Sequence, residues 1–582
     1  MFSTALRNRT CLVTRPNNFA ISPPHAHAKE HDVEMQIDSS LTVECRLPAM
    51  ATALSLLLLS GVANAFPPWH HGPPNGGHND HDYRVSTTSG QVRGKVDPDL
   101  PNVQQYLGIP FAVPPVGDRR WTAPELLDQR EAEIDATELP VSCMQYLSNQ
   151  GSSVYVREIF EFNLQGLNRT GVVSEDCLTV SVWTPNSVED SHGWHDEHHW
   201  SPSKTHDGGK EEDEGLPVLI FFYGGGFQTG GEDVPYQIPA QWVNRTPDHL
   251  VVSFNYRLNI FGFPNAAGLD EQNLGLLDQR AAVEWCKKNI AAFGGDPNRM
   301  VAWGQSAGSI SVDYYNYAHY EDPLVTGLIM DSGTAFSDLT SEDVSNSNFT
   351  FVAENVGCSG LGNDPSQQLA CMREVSADKI EGFIAKYQES GDTPAIGFNP
   401  VPDNKIVFEN YTERALAGKQ ARVPAIVGTN TEDGVPFVPY HPSGPDNQTA
   451  VLAALLRTFF CPATETLKYR QQTGLSSYRY LYAGNFSNVS PEPWMGAYHS
   501  SELPMLFGTH PNFRGPSTPL EYATSHAFQD AYVAFARDPE HGLATQDWQQ
   551  YSKLGEDTVR EFGAGVAAQD TSIGSTEDLC AL

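Results

Sequence analysis

The sequence predicts an α/β fold in which helices flank a mostly parallel central sheet. Three apolar segments read as buried strands: Leu216–Phe222, Val251–Leu258 and Met300–Trp303. The third breaks at a glycine and continues as a predicted helix, Ala307–Tyr317. Strands that alternate with helices along the chain favour parallel pairing in one sheet. With 582 residues, 40% of them hydrophobic, the chain is long enough to bury a large core.

The turn after the third strand carries the pattern Gly-x-Ser-x-Gly, with Gly304, Ser306 and Gly308 at the fixed positions. Such a turn holds the serine in a strained conformation, and the small flanking residues let strand and helix approach each other. Ser306 then lies at the positive end of the helix, where developing negative charge is stabilised. An ordinary glycine-rich turn has the same pattern, so the catalytic interpretation depends on the surrounding sequence.

A glycine triplet, Gly224–Gly226, follows directly after the first strand and Tyr223. Without side chains in the way, backbone N–H groups at this point can turn toward a ligand. We predict that Gly225 and Gly226, with the amide of Ala307, donate hydrogen bonds to the oxyanion of a tetrahedral intermediate. The alternative is a glycine cluster that only forms a turn.

These segments resemble type-B carboxylesterases, a family that includes carboxylesterases, cholinesterases and several fungal lipases. The strongest resemblance runs from Asn273 to Gly308, and Tyr106–Gly117 and Glu175–Val182 are similar to two further family signatures. The resemblance implies an α/β-hydrolase fold with loop insertions over the active site. It extends from residue 85 to about residue 563.

The resemblance also implies the partners of the serine. In α/β-hydrolases the chain order is nucleophile, acid and histidine. Asp433 lies directly before a glycine, where relatives carry an acid that is usually Glu, and His499 lies in a segment similar to the family's catalytic-histidine segment. Glu432 is the alternative acid, because Asp is one methylene shorter than the usual residue. We expect His499 to act as general base and then acid, and Asp433 to orient its imidazole.

An apolar stretch from Met50 to Val62, followed by Ala63–Ala65, has the features of a secretory signal peptide. It is too short to span a bilayer, and we find no second apolar stretch long enough to anchor the protein. We therefore expect a secreted, extracellular protein; the alternative is a cytosolic protein with a buried apolar segment. The predicted organisation is a non-native or disordered extension (1–49), a signal peptide (50–65), a flexible Pro-, Gly- and His-rich leader (66–84), the hydrolase domain (85–563) with a surface insertion (186–215), and a C-terminal tail (564–582).

Seven Asn-x-Ser/Thr sequons and seven cysteines follow the signal. The sequons predict a glycosylated exterior, and an oxidising compartment favours disulfides. Cys286 is expected to pack as a small buried hydrophobe. The family resemblance implies the disulfides Cys143–Cys177 and Cys358–Cys371, while the pairing of Cys461 and Cys580 stays open. The sequons begin at Asn168, Asn244, Asn348, Asn410, Asn447, Asn485 and Asn488.

Charge and composition exclude several partners. The chain has 71 acidic and 36 basic residues, which gives a formal net charge of −35. Such a surface repels phosphate backbones and anionic lipids, so neither nucleic-acid binding nor charge-driven membrane docking is expected. The histidines of the leader show no metal-ligand spacing, and the predicted chemistry needs no metal or cofactor.

The sequence therefore predicts a secreted serine hydrolase that cleaves carboxylic esters of small molecules or lipids through an acyl-enzyme intermediate. A choline ester is not expected, because cholinesterases place a tryptophan in the first disulfide loop and residues 143–177 contain none. Gln305 also replaces the acid that commonly precedes the serine. One alternative is a lipase acting on longer-chain acylglycerols or sterol esters. Another is a non-catalytic adhesion relative, which the retained Ser306 and His499 disfavour.

Aromatic residues of the disulfide loop either line a substrate path or only pack the loop: Tyr146, Tyr155, Phe160 and Phe162.

Overall fold

The computed structural model describes residues 83–147, 153–159, 172–186, 215–337, 339–343, 345–512, 514–551 and 558–581. The predicted extension, the signal peptide, nearly all of the leader, most of the surface insertion and the sequon at Asn168 lie outside the described residues. The strands of the described ranges are β1 (Arg84–Thr87), β2 (Gly90–Arg93), β3 (Lys95–Asp97), β4 (Leu100–Pro110), β5 (Glu133–Asp135), β6 (Ser142–Cys143), β7 (Val173–Ser174), β8 (Thr179–Pro185), β9 (Leu216–Phe222), β10 (Leu250–Phe254), β11 (Gly295–Gln305), β12 (Gly327–Asp331), β13 (Ala425–Asn430), β14 (Ser477–Tyr482), β15 (Val559–Phe562) and β16 (Ala568–Thr571).

Helices separate most of the strands in the second half of the chain. The α-helices of the described ranges are α1 (Ala240–Arg245), α2 (Asn259–Gly262), α3 (Leu274–Asn289), α4 (Ala307–Ala318), α5 (Ser347–Asn355), α6 (Pro365–Glu374), α7 (Ala377–Ser390), α8 (Tyr411–Leu416), α9 (Gln448–Ala454), α10 (Cys461–Gln472), α11 (Leu503–Phe507), α12 (Pro519–Arg537) and α13 (Gly574–Glu577). A π-helical segment, Leu455–Phe460, joins α9 and α10. Another π-helical turn covers Tyr155–Ile159.

Eleven strands of the described chain form the central sheet, in the order β16-β15-β14-β13-β12-β11-β9-β10-β8-β4-β3. From β15 through β10 every neighbouring pair is parallel. Antiparallel strands complete both ends. The central strands β10 and β12 are buried along their whole length, as strands covered on both faces must be. The predicted α/β architecture with a mostly parallel sheet is confirmed.

The chain beyond residue 563, which the sequence predicts to be a tail, belongs to the fold. β16 pairs with β15 in antiparallel register and forms one edge of the central sheet. α13 follows it, and Cys580 then forms a disulfide with Cys461. The prediction differs from the structure because β16, with the sequence Ala-Gln-Asp-Thr, has no apolar alternation and two exposed residues at its centre.

Disulfides fasten loops and the C-terminal region to this framework. The bonded pairs are Cys143–Cys177, Cys358–Cys371 and Cys461–Cys580. The first two are the pairs that the family resemblance implies. Cys286 is the free cysteine of the described residues and is buried in α3, where burial raises the pKa of its thiol. A buried thiol that stays protonated is a poor nucleophile, so Cys286 packs as a hydrophobe.

One helical run of the described chain, Gln448–Gln472, is long and apolar enough to cross a membrane by length and composition alone. It comprises α9, the π-helical segment and α10. Apolar side chains of this run, including Phe460 and Leu467, are buried in the hydrophobic core. Core helices of globular folds have the same composition; α10 contributes buried side chains to this core, whereas Leu452 of α9 is exposed.

Candidate active site

Ser306 lies at the junction of β11 and α4. Its backbone has φ 56° and ψ −124°, a conformation that non-glycine residues rarely adopt. The neighbouring glycines permit this turn, because a Cβ on Gly304 would collide with the backbone of Gly308, and one on Gly308 would collide with the carbonyl of Phe222. The N–H of Ser306 donates to the carbonyl of Asp331 at 2.8 Å. The strand, the strained turn and the helix predicted around Ser306 are all present.

His499 and Asp433 are in direct contact. His499 Nδ1 lies 2.8 Å from Asp433 Oδ1, and the two side chains are 4% and 0% exposed. Asp433 Oδ2 accepts the N–H of Asn430 at 2.7 Å and the hydroxyl of Ser332 at 2.8 Å. Because an ionised carboxylate only accepts hydrogen bonds, Nδ1 carries the proton and Nε2 is left as the acceptor. A base oriented by an acid requires this arrangement.

Glu432, the alternative acid, does not occupy that position. Its backbone N–H donates to the carbonyl of Ala497 at 3.0 Å, and its side chain packs against Gly496. Burial, and secondarily the negative charge of Asp433, raises the pKa of Glu432. The shorter of the two neighbouring acids therefore makes the contact to His499.

The glycine triplet lines the same cavity as Ser306 and His499. Gly225 and Gly226 have φ of +114° and +63°, in the region that favours glycine. A Cβ on Gly224 would lie 2.9 Å from the Cβ of Ser306, so the glycine loop and the nucleophile turn are in contact. Ala307, which supplies the third predicted donor, begins α4 directly after Ser306. The predicted donors therefore lie next to the serine or line its cavity.

The cavity at Ser306 has a volume of about 380 Å³. No Asp, Glu, Lys or Arg among the described residues lines it. The described lining residues therefore supply a cationic ligand with no counter-charge. Of the loop aromatics singled out in the sequence, Tyr155 lines the cavity, whereas Tyr146 donates its hydroxyl to Glu389. Phe160 and Phe162 lie outside the described residues.

Two phenylalanine rings pack against His499, and sequence reasoning missed both. The centroid of the His499 ring lies 4.5 Å from that of Phe459 and 5.3 Å from that of Phe437. Phe459 belongs to the π-helical segment, and the hydroxyl of Ser337 donates to the carbonyl of Thr458 in that segment at 2.7 Å. Single π-helical turns within α-helices are frequent at functional sites. An apolar run offers no sequence signal that separates a cavity wall from ordinary core.

Further buried carboxyl groups lie near Asp433. Glu502 accepts a hydrogen bond from the side chain of Asn430, and burial, followed by the charge of Asp433, raises the pKa of Glu502 well above its usual range. Burial also raises the pKa of Asp331 to about 7. A carboxyl group with a raised pKa carries less negative charge near neutral pH.

Six of the seven predicted glycosylation sites fall within the described residues, and one of them is contradicted. Asn488 is 4% exposed, and its amide nitrogen donates to the carbonyl of His510 at 2.9 Å and to the hydroxyl of Ser517 at 3.0 Å. A glycan attaches to that nitrogen, so the folded chain cannot carry one at Asn488. The sequon is a local signal, whereas burial is set by distant residues. The others are exposed or partly exposed: Asn244, Asn348, Asn410, Asn447 and Asn485.

Within the described ranges, no group of three or more His, Cys, Asp or Glu side chains is arranged to hold a metal ion.

The chain is similar to known proteins over most of its length. A sequence model of the carboxylesterase family matches residues 81–458. A chlorogenic acid esterase of Aspergillus niger is 45% identical over 460 residues, which cover 79% of this chain and 83% of that protein. Secreted lipase 5 of Gibberella zeae is 38% identical over 486 residues, covering 80% and 87%. A cholinesterase of Mus musculus is 26% identical over 520 residues, covering 79% of each.

Two solved structures share the fold. A PNB esterase superposes with a TM-score of 0.68 at 23% identity, covering 86% of this chain and 99% of that one. A thermophilic PNB esterase gives a TM-score of 0.66 at 24% identity, covering 86% and 100%. At these identities the superpositions support the α/β-hydrolase fold and nothing further.

Proposed function

Because this chain belongs to the carboxylesterase family and is a carboxylic-ester hydrolase, we propose that it works as a secreted serine esterase through an acyl-enzyme intermediate. The observation that carries the residue assignment is the 2.8 Å contact between His499 Nδ1 and Asp433 Oδ1. Ser306, on its strained turn, lines the same cavity as His499. Together these features are those of a nucleophile with an oriented base.

In this mechanism Ser306 Oγ attacks the ester carbonyl while His499 Nε2 takes its proton. His499 then returns the proton to the leaving alcohol, and Asp433 stabilises the imidazolium between these steps. The backbone N–H groups of Gly225, Gly226 and Ala307 bind the oxyanion. Water, activated by the same histidine, releases the acid and restores the serine.

For the substrate, we favour a small ester whose acyl group is aromatic or short. Chlorogenic acid, the substrate in the name of one relative, is an ester of an aromatic acid, and the rings of Phe437 and Phe459 offer apolar walls beside His499. Gln305 argues against a cationic alcohol. It is 2% exposed, and its amide donates to Ser500 Oγ at 3.1 Å, so a neutral group lies where a carboxylate would attract a cation.

A lipase is the second candidate. Phe437 lines the cavity and is nevertheless 52% exposed. An apolar side chain exposed at a cavity suits a substrate that arrives from a lipid phase. One relative is named a secreted lipase, which agrees with this candidate and with an extracellular location. The disulfides of the described chain also fit an oxidising compartment.

The test is hydrolysis of p-nitrophenyl esters of increasing acyl length, and of chlorogenate, by the protein and its Ser306→Ala variant. Ser309→Ala is the matched control, because Ser309 is a buried serine in the helix that follows Ser306, and its hydroxyl donates to the carbonyl of Gly333. We expect activity to vanish in Ser306→Ala and to persist in the control. Preference for short or aromatic acyl groups favours the esterase, and a long-chain optimum favours the lipase. A folded protein that cleaves none of these esters contradicts the proposal and favours a binding role.

A further inference from the structure

The oxyanion glycines lie in a tight loop, Gly224–Gly230, whose backbone bonds to itself. The carbonyl of Gly225 accepts the N–H of Gln228 at 3.0 Å and the N–H of Thr229 at 3.1 Å. A trans peptide holds its C=O and the following N–H in opposite directions. The two bonds therefore also fix the direction of the Gly226 N–H. The direction of the Gly226 N–H, one of the predicted oxyanion donors, therefore depends on how this loop closes.

The loop closes on the side chain of Gln145, which is 5% exposed. Gln145 Oε1 accepts the N–H of Gly230 at 2.8 Å, and Nε2 donates to the carbonyl of Gly230 at 2.7 Å. Nε2 also donates to the carbonyl of Cys143 at 3.0 Å. A Cβ on Gly230 would lie 2.6 Å from the ring of Tyr223 and 2.7 Å from the carbonyl oxygen of Gly224. Gln145 thus holds Gly230 through both Oε1 and Nε2. Gly230 in turn lies against Gly224, the first glycine of the triplet.

The segment that carries this side chain, Ser142–Gln145, is itself fixed in place. Cys143 forms a disulfide with Cys177. The hydroxyl of Ser142 donates to Asp233 at 2.5 Å, and Asn259 donates to the carbonyl of Met144 at 2.9 Å. Because this segment is held in place, the position of the Gln145 side chain determines the position of Gly230. The segment Ser142–Gln145, which the disulfide fixes, therefore supports the glycine loop through Gln145.

We propose that Gln145 is a positioning residue for the oxyanion hole. Its amide fixes Gly230, and through the closed loop it fixes the direction of the Gly226 N–H. This role rests on the proposed function, because it concerns the same oxyanion. Donors that are held in advance act mainly on the transition state. The loss of Gln145 therefore lowers kcat more than it raises KM, whereas a residue that only stabilised the fold would change stability alone.

The experiment compares the full chain with Gln145→Met, which keeps the length of the side chain and loses both bonds to Gly230. We measure kcat and KM with p-nitrophenyl butyrate, and the affinity for an alkyl trifluoromethyl ketone, which forms a tetrahedral adduct with a serine nucleophile. We expect kcat to fall about 10- to 100-fold, less than for loss of a donor itself, with KM changed by less than about threefold. The affinity for the ketone falls by the same factor as kcat/KM.

The matched control is Gln420→Met. Gln420 is also buried, at 2% exposure, and donates to the hydroxyl of Thr473 at 2.9 Å, but it does not line the cavity. We expect it to lower stability and to leave kcat and the affinity for the ketone unchanged. Titration of active sites with a fluorophosphonate restricts the comparison to folded enzyme. If Gln145→Met does not fold, Gln145→Asn replaces it, because this variant keeps a buried amide that is one methylene too short to make both bonds to Gly230.

Wild-type kcat and ketone affinity in the Gln145 variant would overturn this proposal, and so would an equal loss in Gln420→Met. Activity that survives in Ser306→Ala would instead overturn the proposed function. The two failures are therefore distinguishable.

Discussion

The exchange Asp433→Asn tests the site sharply, because the structure dictates how the new amide must orient. Two donors, the N–H of Asn430 and the hydroxyl of Ser332, point at Oδ2 of the fully buried carboxylate. The amide oxygen of the variant must take that position, which leaves the NH₂ group facing His499 Nδ1. His499 then accepts through Nδ1 and carries its proton on Nε2, the atom that takes the proton of Ser306 in the proposed mechanism.

The cost of the wrong tautomer follows from the same contacts. Turning the amide around would leave the buried N–H of Asn430 facing an NH₂ group, at about 1–3 kcal/mol, whereas the Ser332 hydroxyl can rotate and accept. The lost counter-charge to the imidazolium adds to this, and an amide in place of the acid of a serine triad lowers kcat by about 10⁴-fold. We expect kcat for p-nitrophenyl butyrate to fall at least about 10³-fold, which corresponds to about 4 kcal/mol.

Stopped-flow or steady-state hydrolysis measures this loss, and near-UV circular dichroism checks that the variant folds. Glu432→Gln is the matched control, since it makes the same chemical change one residue earlier, and its kcat is expected to stay within about threefold of wild type. An Asp433→Asn variant with more than a tenth of wild-type kcat would refute the reasoning. A comparable loss in Glu432→Gln would show that the acid has been assigned to the wrong residue.

Two further predictions concern stability. Burial raises the pKa of Glu232 from 4.5 to about 8, so the folded chain keeps a proton that the unfolded chain releases. The free energy of unfolding should therefore fall as pH rises from 4.5 to 8, by up to about 1.4 kcal/mol per pH unit from this group. Urea unfolding of Glu232→Gln should show a shallower fall, and parallel curves would contradict this. Separately, the disulfide Cys461–Cys580 spans 119 residues, and in the chain-entropy model its removal in Cys461→Ser/Cys580→Ser costs about 5 kcal/mol. An unchanged urea midpoint in the double variant would count against that value.

The parts of the site that depend on local backbone geometry are visible in the sequence. Ser306 needs a glycine on each side at fixed spacing, because strand and helix nearly touch at the turn. Asp433 and His499 have no such local requirement, and only the family resemblance identifies them. The sequence also cannot separate Asp433 from Glu432, since the choice depends on donors from Ser332, which lies 101 residues away.

Other features arise only from tertiary contacts. Gln145 is an ordinary glutamine in the sequence, and its partner Gly230 lies 85 residues further along the chain. Phe459 belongs to an apolar run, and only the π-helical segment and the contact with His499 make it part of the cavity. Asn488 carries a valid sequon that the fold buries. In each case the sequence gives the chemistry of the side chain correctly, and the distant partner decides its role.

The disulfide Cys461–Cys580 limits when one wall of the cavity can be covalently fastened. Cys461 is the first residue of α10 and follows Phe459 by two positions, so the bond to Cys580 fastens the chain next to the aromatic wall at His499. That bond forms only after Cys580 has been synthesised, 119 residues after Cys461. The wall of the cavity therefore cannot be covalently fastened until this much later segment of the chain has been made. A chain truncated shortly before Cys580 would retain Ser306, His499 and Asp433 but would lack this disulfide.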